Sequence, residues 1–192
     1  MALYFIYKER INKTNKTMTA GEKYVGSDEI YQEVHHTMKL VAELNNGYKT
    51  EDEVREYLRK ITNKDIDDTT RVFPPFNINY GKGLTLGRGS FVNFSCTFLS
   101  LGGIIIEDGV FIGPHCVLAT EYHPEKPEIR HSLLSAPILI KRNAWIGANV
   151  TIVAGVTVGE NAIIGAGSVV TKDIPDNTIA VGSPARVLRE IQ

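Results

Sequence analysis

The sequence predicts a mainly β protein, a three-sided parallel solenoid closed at its start by a small α-helical cap. Two observations carry this. Aliphatic residues recur every six positions through the second half, and a helical periodicity occupies the stretch before it. Stepping by six from Ile140 gives Ile140, Ile146, Ile152, Val158, Ile164 and Val170, all aliphatic. Four residues after each stand Ala144, Val150, Val156, Ala162, Ser168 and Ile174, all small or aliphatic. Gly147, Gly159 and Gly165 directly follow their aliphatic residue. This period is neither the alternation of a lone strand nor the 3.6-residue repeat of a helix.

The same pattern runs upstream as Leu86, Val92 and Phe98, and again as Ile106, Ile112 and Leu118, with a two-residue slip at Gly102-Gly103. A glycine pair can absorb extra residues in a turn. Each hexad reads as a short strand plus a bend, and three hexads close a coil of about 18 residues. The aliphatic side chains then stack along the axis, each contributing roughly 1.5–3 kcal/mol on burial. One coil cannot bury its own inner face, so the array is cooperative. Cys96 and Cys116 are separated by one coil plus the slip and are expected as stacked core thiols with no catalytic part.

The front of the chain changes character. Thr50-Glu51-Asp52-Glu53 reads as a capping box, followed by Val54, Tyr57, Leu58 and Ile61 on one helical face. Ser27 can cap an earlier helix carrying Ile30, Val34, Met38 and Val41, which ends at Asn46-Gly47. The division expected is a loose extension over residues 1–17, a helical cap over 18–70, and the β-helix over 71–192 with a loop insert at 121–137. The cap would cover strand edges that a terminal coil leaves open.

Composition narrows the function classes. The 192 residues carry 21 Lys plus Arg against 22 Asp plus Glu, a net charge of −1. Such balance gives no global field for nucleic acid or an anionic membrane, so neither is expected as a partner. The apolar run Leu3 to Tyr7 is too short to span a bilayer and is not followed by a cleavage site. With only two cysteines, reduced thiols and a cytoplasmic location are expected.

The hexads stop between Leu118 and Ile140. The insert holds Glu121, Tyr122, His123, Pro124, Pro127, Arg130 and His131. A loop leaving a rigid scaffold is a place for a site. Pro124 restricts His123 to extended geometry, which would hold the imidazole at the coil's edge.

From Met18 to its end the chain resembles the galactoside and maltose O-acetyltransferases of the hexapeptide-repeat acyltransferases. The matching motifs are Ala20-Gly21-Glu22-Lys23-Tyr24, Val92-Asn93-Phe94-Ser95, Tyr122-His123-Pro124, Asn143-Ala144-Trp145-Ile146-Gly147, the run Gly165 to Pro175, and Gly182-Ser183-Pro184-Ala185-Arg186. The resemblance implies a left-handed parallel β-helix of hexapeptide repeats with an N-terminal α-helical cap. It also implies transfer of an acetyl group from acetyl-CoA to a hydroxyl of a sugar or glycoside, with His123 as general base, no acyl-enzyme and no metal. Asn93, Asn79 and Asp28 match acceptor-binding positions. Trp145, Ala148, Ala166, Thr171, Lys172, Arg186 and Arg189 match positions that meet the cosubstrate, the cationic ones at its phosphates. The family forms homotrimers with active sites between neighbours, which would set His123 of one subunit facing Asn93 of the next.

The chain departs from the galactoside branch at Ala148, where a serine hydroxyl is missing, and at Leu101, where an acidic acceptor contact is missing. Glu121 either orients His123 or is loop charge. Rival readings are the same transfer to a hydroxylated antibiotic, a binding solenoid without catalysis, and a zinc-dependent carbonic anhydrase. The last needs three histidines on adjacent coils, and His115, His123 and His131 lack that spacing.

Overall fold

The computed structural model describes residues 28–192. The motif at Ala20–Tyr24, the Ser27 cap and the 1–17 extension lie outside them.

Two helices open the described chain, α1 (Asp28–Leu44) and α2 (Glu51–Thr62). The capping box forms as read: the Thr50 hydroxyl accepts from the Glu53 amide at 3.3 Å, and the Thr50 amide donates to the Glu53 carboxylate at 2.7 Å. Three acidic residues in the first turn and Arg59 and Lys60 in the last suit the helix dipole. Asn63 then turns the chain in the left-handed region, at φ 53°.

The face of α1 differs from expectation. Thr37, Val41 and Leu44 are buried, while Met38 is 53% exposed. The stripe is rotated because α1 rests on both α2 and the first coils, and the Thr37 hydroxyl accepts from the Gly81 amide at 3.2 Å. A Cβ on Gly81 would stand 1.9 Å from the Ile61 carbonyl oxygen, so glycine is required where α2 meets the solenoid. Lys64 ties the same junction: its ammonium donates to the carbonyls of Lys82 (3.0 Å) and Leu84 (2.6 Å) and to the Thr85 hydroxyl (3.0 Å). Burial pushes this ammonium down to about 8.

The rest is a three-faced prism. Its first face stacks β1 (Arg71–Val72), β4 (Phe91–Val92), β7 (Phe111–Ile112), β12 (Trp145–Ile146), β15 (Ile163–Ile164) and β17 (Thr178–Gly182), all parallel. The second stacks β2 (Phe76–Ile78), β5 (Cys96–Leu99), β8 (Val117–Ala119), β13 (Thr151–Ile152) and β16 (Val169–Val170). The third stacks β3 (Leu84–Leu86), β6 (Ile104–Ile106), β11 (Ile138–Ile140) and β14 (Thr157–Val158). The final strand, β18 (Ala185–Glu190), turns back antiparallel on β17 and finishes the first face.

Every aliphatic residue of the six-step series from Ile140 to Val170 is fully buried. The corners depend on residues that tolerate positive φ. Ser95, His115, Asn149 and Gly167 turn the first face into the second, at φ 59–73°. Gly89, Gly109, Asn143, Asn161 and Asn177 turn the third into the first. The last three asparagines also link side chain to side chain, at 3.3 and 2.7 Å. His115 is therefore a corner residue. The slip at Gly102-Gly103 sits where a Cβ on Gly102 would come within 2.9 Å of Thr120.

Cys96 and Cys116 are free, buried and on adjacent strands of the second face. Their thiols donate to the carbonyls of Gly113 (3.3 Å) and Gly147 (3.1 Å). The hydrogen bond with Cys116, together with burial, holds the Cys96 thiol far above its usual range, so it is no nucleophile.

Candidate active site

The insert leaves the prism after β8, at the edge between the second and third faces. It folds as a short antiparallel ribbon, β9 (Glu121–Tyr122) against β10 (Leu134–Ser135), with a 3-10 turn over Pro127–Ile129 between them. The Arg130 guanidinium donates to the Glu125 carbonyl at 2.6 Å and closes that turn.

His123 follows β9 directly and is exposed. Its Nδ1 lies 2.9 Å from the carbonyl oxygen of Ser132. A carbonyl can only accept, so Nδ1 carries the hydrogen, and in the neutral ring Nε2 is then the nitrogen with the lone pair. The ring has the tautomer a general base needs.

Glu121 neither orients that ring nor stands as free loop charge. Its half-buried carboxylate accepts from the Leu101 amide at 2.7 Å and from the Asn79 side chain at 3.1 and 3.2 Å. Desolvation raises its pKa above the ordinary carboxylate value, against the opposing effect of those donors. The Asn79 oxygen meanwhile accepts from the Ser100 amide at 2.9 Å, so Asn79 is committed to the edge itself. Where Leu101 supplies no carboxylate, the following coil brings one.

The edge between the first and second faces is different. Phe91, Asn93, Phe111, Ile112, Gly113 and Trp145 line a hollow of about 250 Å³ there. The Asn93 oxygen accepts from the Phe94 amide at 2.8 Å, which leaves its NH₂ group for a ligand. Trp145 is 54% exposed and pairs in register with Phe111 and Ile163.

Further along this edge the coils approach closely. A Cβ on Gly113 would stand 2.6 Å from the Ala148 nitrogen, and one on Gly147 would stand 2.7 Å from the Ala166 nitrogen. The Gly167 amide donates to the Ala148 carbonyl at 2.9 Å. Glycine is therefore needed at Gly113 and Gly147, and the small residues Ala148 and Ala166 stand beside them on the next coils.

The predicted site residues thus fall into separate places. His123, Asn79, Thr171 and Lys172 belong to the edge between second and third faces. Asn93, Trp145, Ala148 and Ala166 belong to the edge between first and second. Arg186 and Arg189 are exposed on β18, each donating to the carbonyl of a neighbouring residue, Ala185 (2.8 Å) and Glu190 (3.0 Å). Asp28 is exposed in the first turn of α1. Two edges of one prism are separated by a whole face, so one chain does not bring its histidine and Asn93 together.

The Ser132 carbonyl was not foreseeable from the sequence. Any residue type supplies a main-chain oxygen, so only the path of the insert reveals it. Among the described residues no three His, Cys, Asp or Glu side chains converge as metal ligands, and no helix is long and apolar enough to cross a membrane.

Residues 137–172 match the model of the bacterial transferase hexapeptide (six repeats). The galactoside O-acetyltransferase of Escherichia coli (strain K12) is 42% identical over 154 residues, 79% of this chain and 76% of that protein. The chain belongs to the hexapeptide-repeat acetyltransferase family. A maltose O-acetyltransferase from Clostridium difficile 630 superposes with a TM-score of 0.83 at 36% identity, covering 88% of this chain and 91% of that one. A hexapeptide-repeat acetyltransferase from Vibrio cholerae, solved with acetyl coenzyme A, gives 0.83 at 32% identity, covering 87% and 91%. The fold is this family's left-handed β-helix with its helical cap, and the chain is an acetyl-CoA-dependent O-acetyltransferase.

Proposed function

We propose that this enzyme acetylates a hydroxyl group of a sugar or glycoside, with His123 as the general base. The observation that carries the reading is the bond from Nδ1 to the Ser132 carbonyl, which leaves Nε2 able to receive a proton. The acceptor oxygen gives its proton to Nε2 as it attacks the thioester carbonyl carbon. The tetrahedral intermediate then expels the CoA sulfur, which takes the proton from the imidazolium. Main-chain N–H groups near Ala148 would stabilise the oxyanion, since Ala148 offers no hydroxyl. Asn93 would donate to the acceptor, with Asn79 shaping the same place from the other edge and Asp28 at its margin.

The working unit in this reading is a homotrimer. Its support is the division of the site between two edges: one subunit would present His123 with Thr171 and Lys172, and its neighbour Asn93, Trp145, Ala148 and Ala166. A closed ring of heterologous contacts brings unlike edges together three times. Lys172, Arg186 and Arg189 would meet the cosubstrate's phosphates. Two buried free cysteines fit a reducing, cytoplasmic setting.

Thiol release from acetyl-CoA, measured against a panel of sugars and glycosides, tests the reading, and no release with any hydroxyl acceptor would end it. In the same assay Lys172→Ala with Arg186→Ala is expected to raise the acetyl-CoA KM by about 10-fold or more with kcat less affected. A change in acceptor KM alone would refute the phosphate assignment.

A further inference from the structure

We infer that Glu121 is a specificity-determining residue of this site, its carboxylate accepting hydrogen bonds from hydroxyl groups of a neutral, polyhydroxylated acceptor beside the one that is acetylated. The inference rests on the acetyl-transfer reading above and adds to it a residue and a substrate class.

Glu121 stands two residues before His123, on the same edge of the prism, where its carboxylate meets Asn79 and Leu101 and the His123 ring meets the Ser132 carbonyl. Its carboxylate is held firmly. One oxygen accepts from the Leu101 amide at 2.7 Å and from Asn79 at 3.2 Å, and the other accepts only from Asn79, at 3.1 Å. An ionised carboxylate has about four acceptor positions. Three donor contacts from two groups leave capacity unused, mainly on the second oxygen. No cation pairs with Glu121 among the described residues, so its charge is uncompensated inside the protein.

That arrangement works against folding. The folded state binds the Glu121 proton more tightly than the unfolded chain does. Stability is therefore lost as pH rises through the raised value, above which the ionised carboxylate is a net cost to the fold. A half-buried, unpaired, positioned acid kept at such a cost beside the base is best explained by a ligand. A carboxylate that only accepts selects partners that donate. Paired hydroxyls of a sugar ring satisfy both its charge and its free lone pairs, whereas an acidic sugar would be repelled.

Glu121→Gln keeps the shape and the acceptor oxygen for Leu101 while removing the charge, and it sets an NH₂ group against that of Asn79. In thiol-release kinetics the acceptor KM is expected to rise by about 10-fold, with the acetyl-CoA KM unchanged. The thermal midpoint at neutral pH should stay close to the parent's, the lost Asn79 contact offsetting the removed charge. Singly deoxygenated glucose and galactose analogues should identify one hydroxyl whose loss weakens the parent enzyme about 10-fold yet barely affects the variant. An unchanged acceptor KM, or a fall in thermal midpoint that accounts for lost activity, would overturn the role of Glu121 while acetyl transfer by the parent stood. A parent enzyme that acetylates no hydroxyl at all would overturn both readings.

Discussion

Replacing His123 by alanine is expected to lower kcat by about 10²–10⁴-fold, the usual contribution of a positioned general base. Acetyl-CoA binding should be nearly unchanged, because Trp145, Ala148 and Ala166, the proposed cosubstrate contacts, lie along another edge of the prism. The fold should also persist. His123 is exposed, its one hydrogen bond is to a main-chain oxygen, and the insert is held independently by the β9–β10 pairing and the Arg130 contact. Lost turnover with an unmoved melting curve separates a missing base from a damaged insert. Turnover within about threefold of the parent would remove His123 from the mechanism.

The lengths of chain that were legible and those that were not differ in physical kind. A six-residue period is a statement about which side chains face inward, so the coils from Leu86 to Val170 could be placed by counting. Capping is equally local, and Thr50 with Glu53 needed no tertiary information. The burial of α1 was a different matter. Its periodicity allowed a stripe through Met38, but the helix turns Thr37 onto the Gly81 amide, a contact that a helical wheel does not contain. The site divides in the same way. His123 was visible because a His-Pro pair interrupts an otherwise regular repeat. Its partner, the Ser132 carbonyl, has no sequence signature. Glu121 could be read only as loop charge or as an orienting group. Its real neighbours, Asn79 and Leu101, come from the two preceding coils and meet it through stacking across the edge.

Stacking also explains why the corners were partly readable. Positive φ recurs at Asn143, Asn161 and Asn177 because each turn must reverse at the same height of its coil, and asparagine and glycine tolerate that region. Ser95 and His115 occupy the same conformation without that preference. The second corner is held by position in the repeat rather than by residue type. That corner borders the Asn93 hollow, so its backbone is fixed where a ligand would rest.

Mixing two inactive variants is expected to restore activity. In the proposed homotrimer His123→Ala would lack the base and Asn93→Ala the acceptor contact, so either variant alone should be impaired at every site. If His123 of one subunit faces Asn93 of the next, a site in a mixed trimer is intact when the first subunit is the Asn93 variant and the second the His123 variant. With equal amounts and random assembly this holds for about one quarter of sites. Thiol release should therefore recover to about a quarter of the parent rate after co-refolding. A second mixture sharpens the result. Parent chains co-assembled equally with the His123→Ala/Asn93→Ala double variant would keep about half their sites if both residues acted within one chain, but about one quarter if they act across an interface. The topology predicts the smaller fraction, because His123 and Asn93 hang from different edges of one rigid prism and no rotamer spans a face of stacked strands. Half the sites active in that second mixture, with no recovery in the first, would place the whole site in a single subunit.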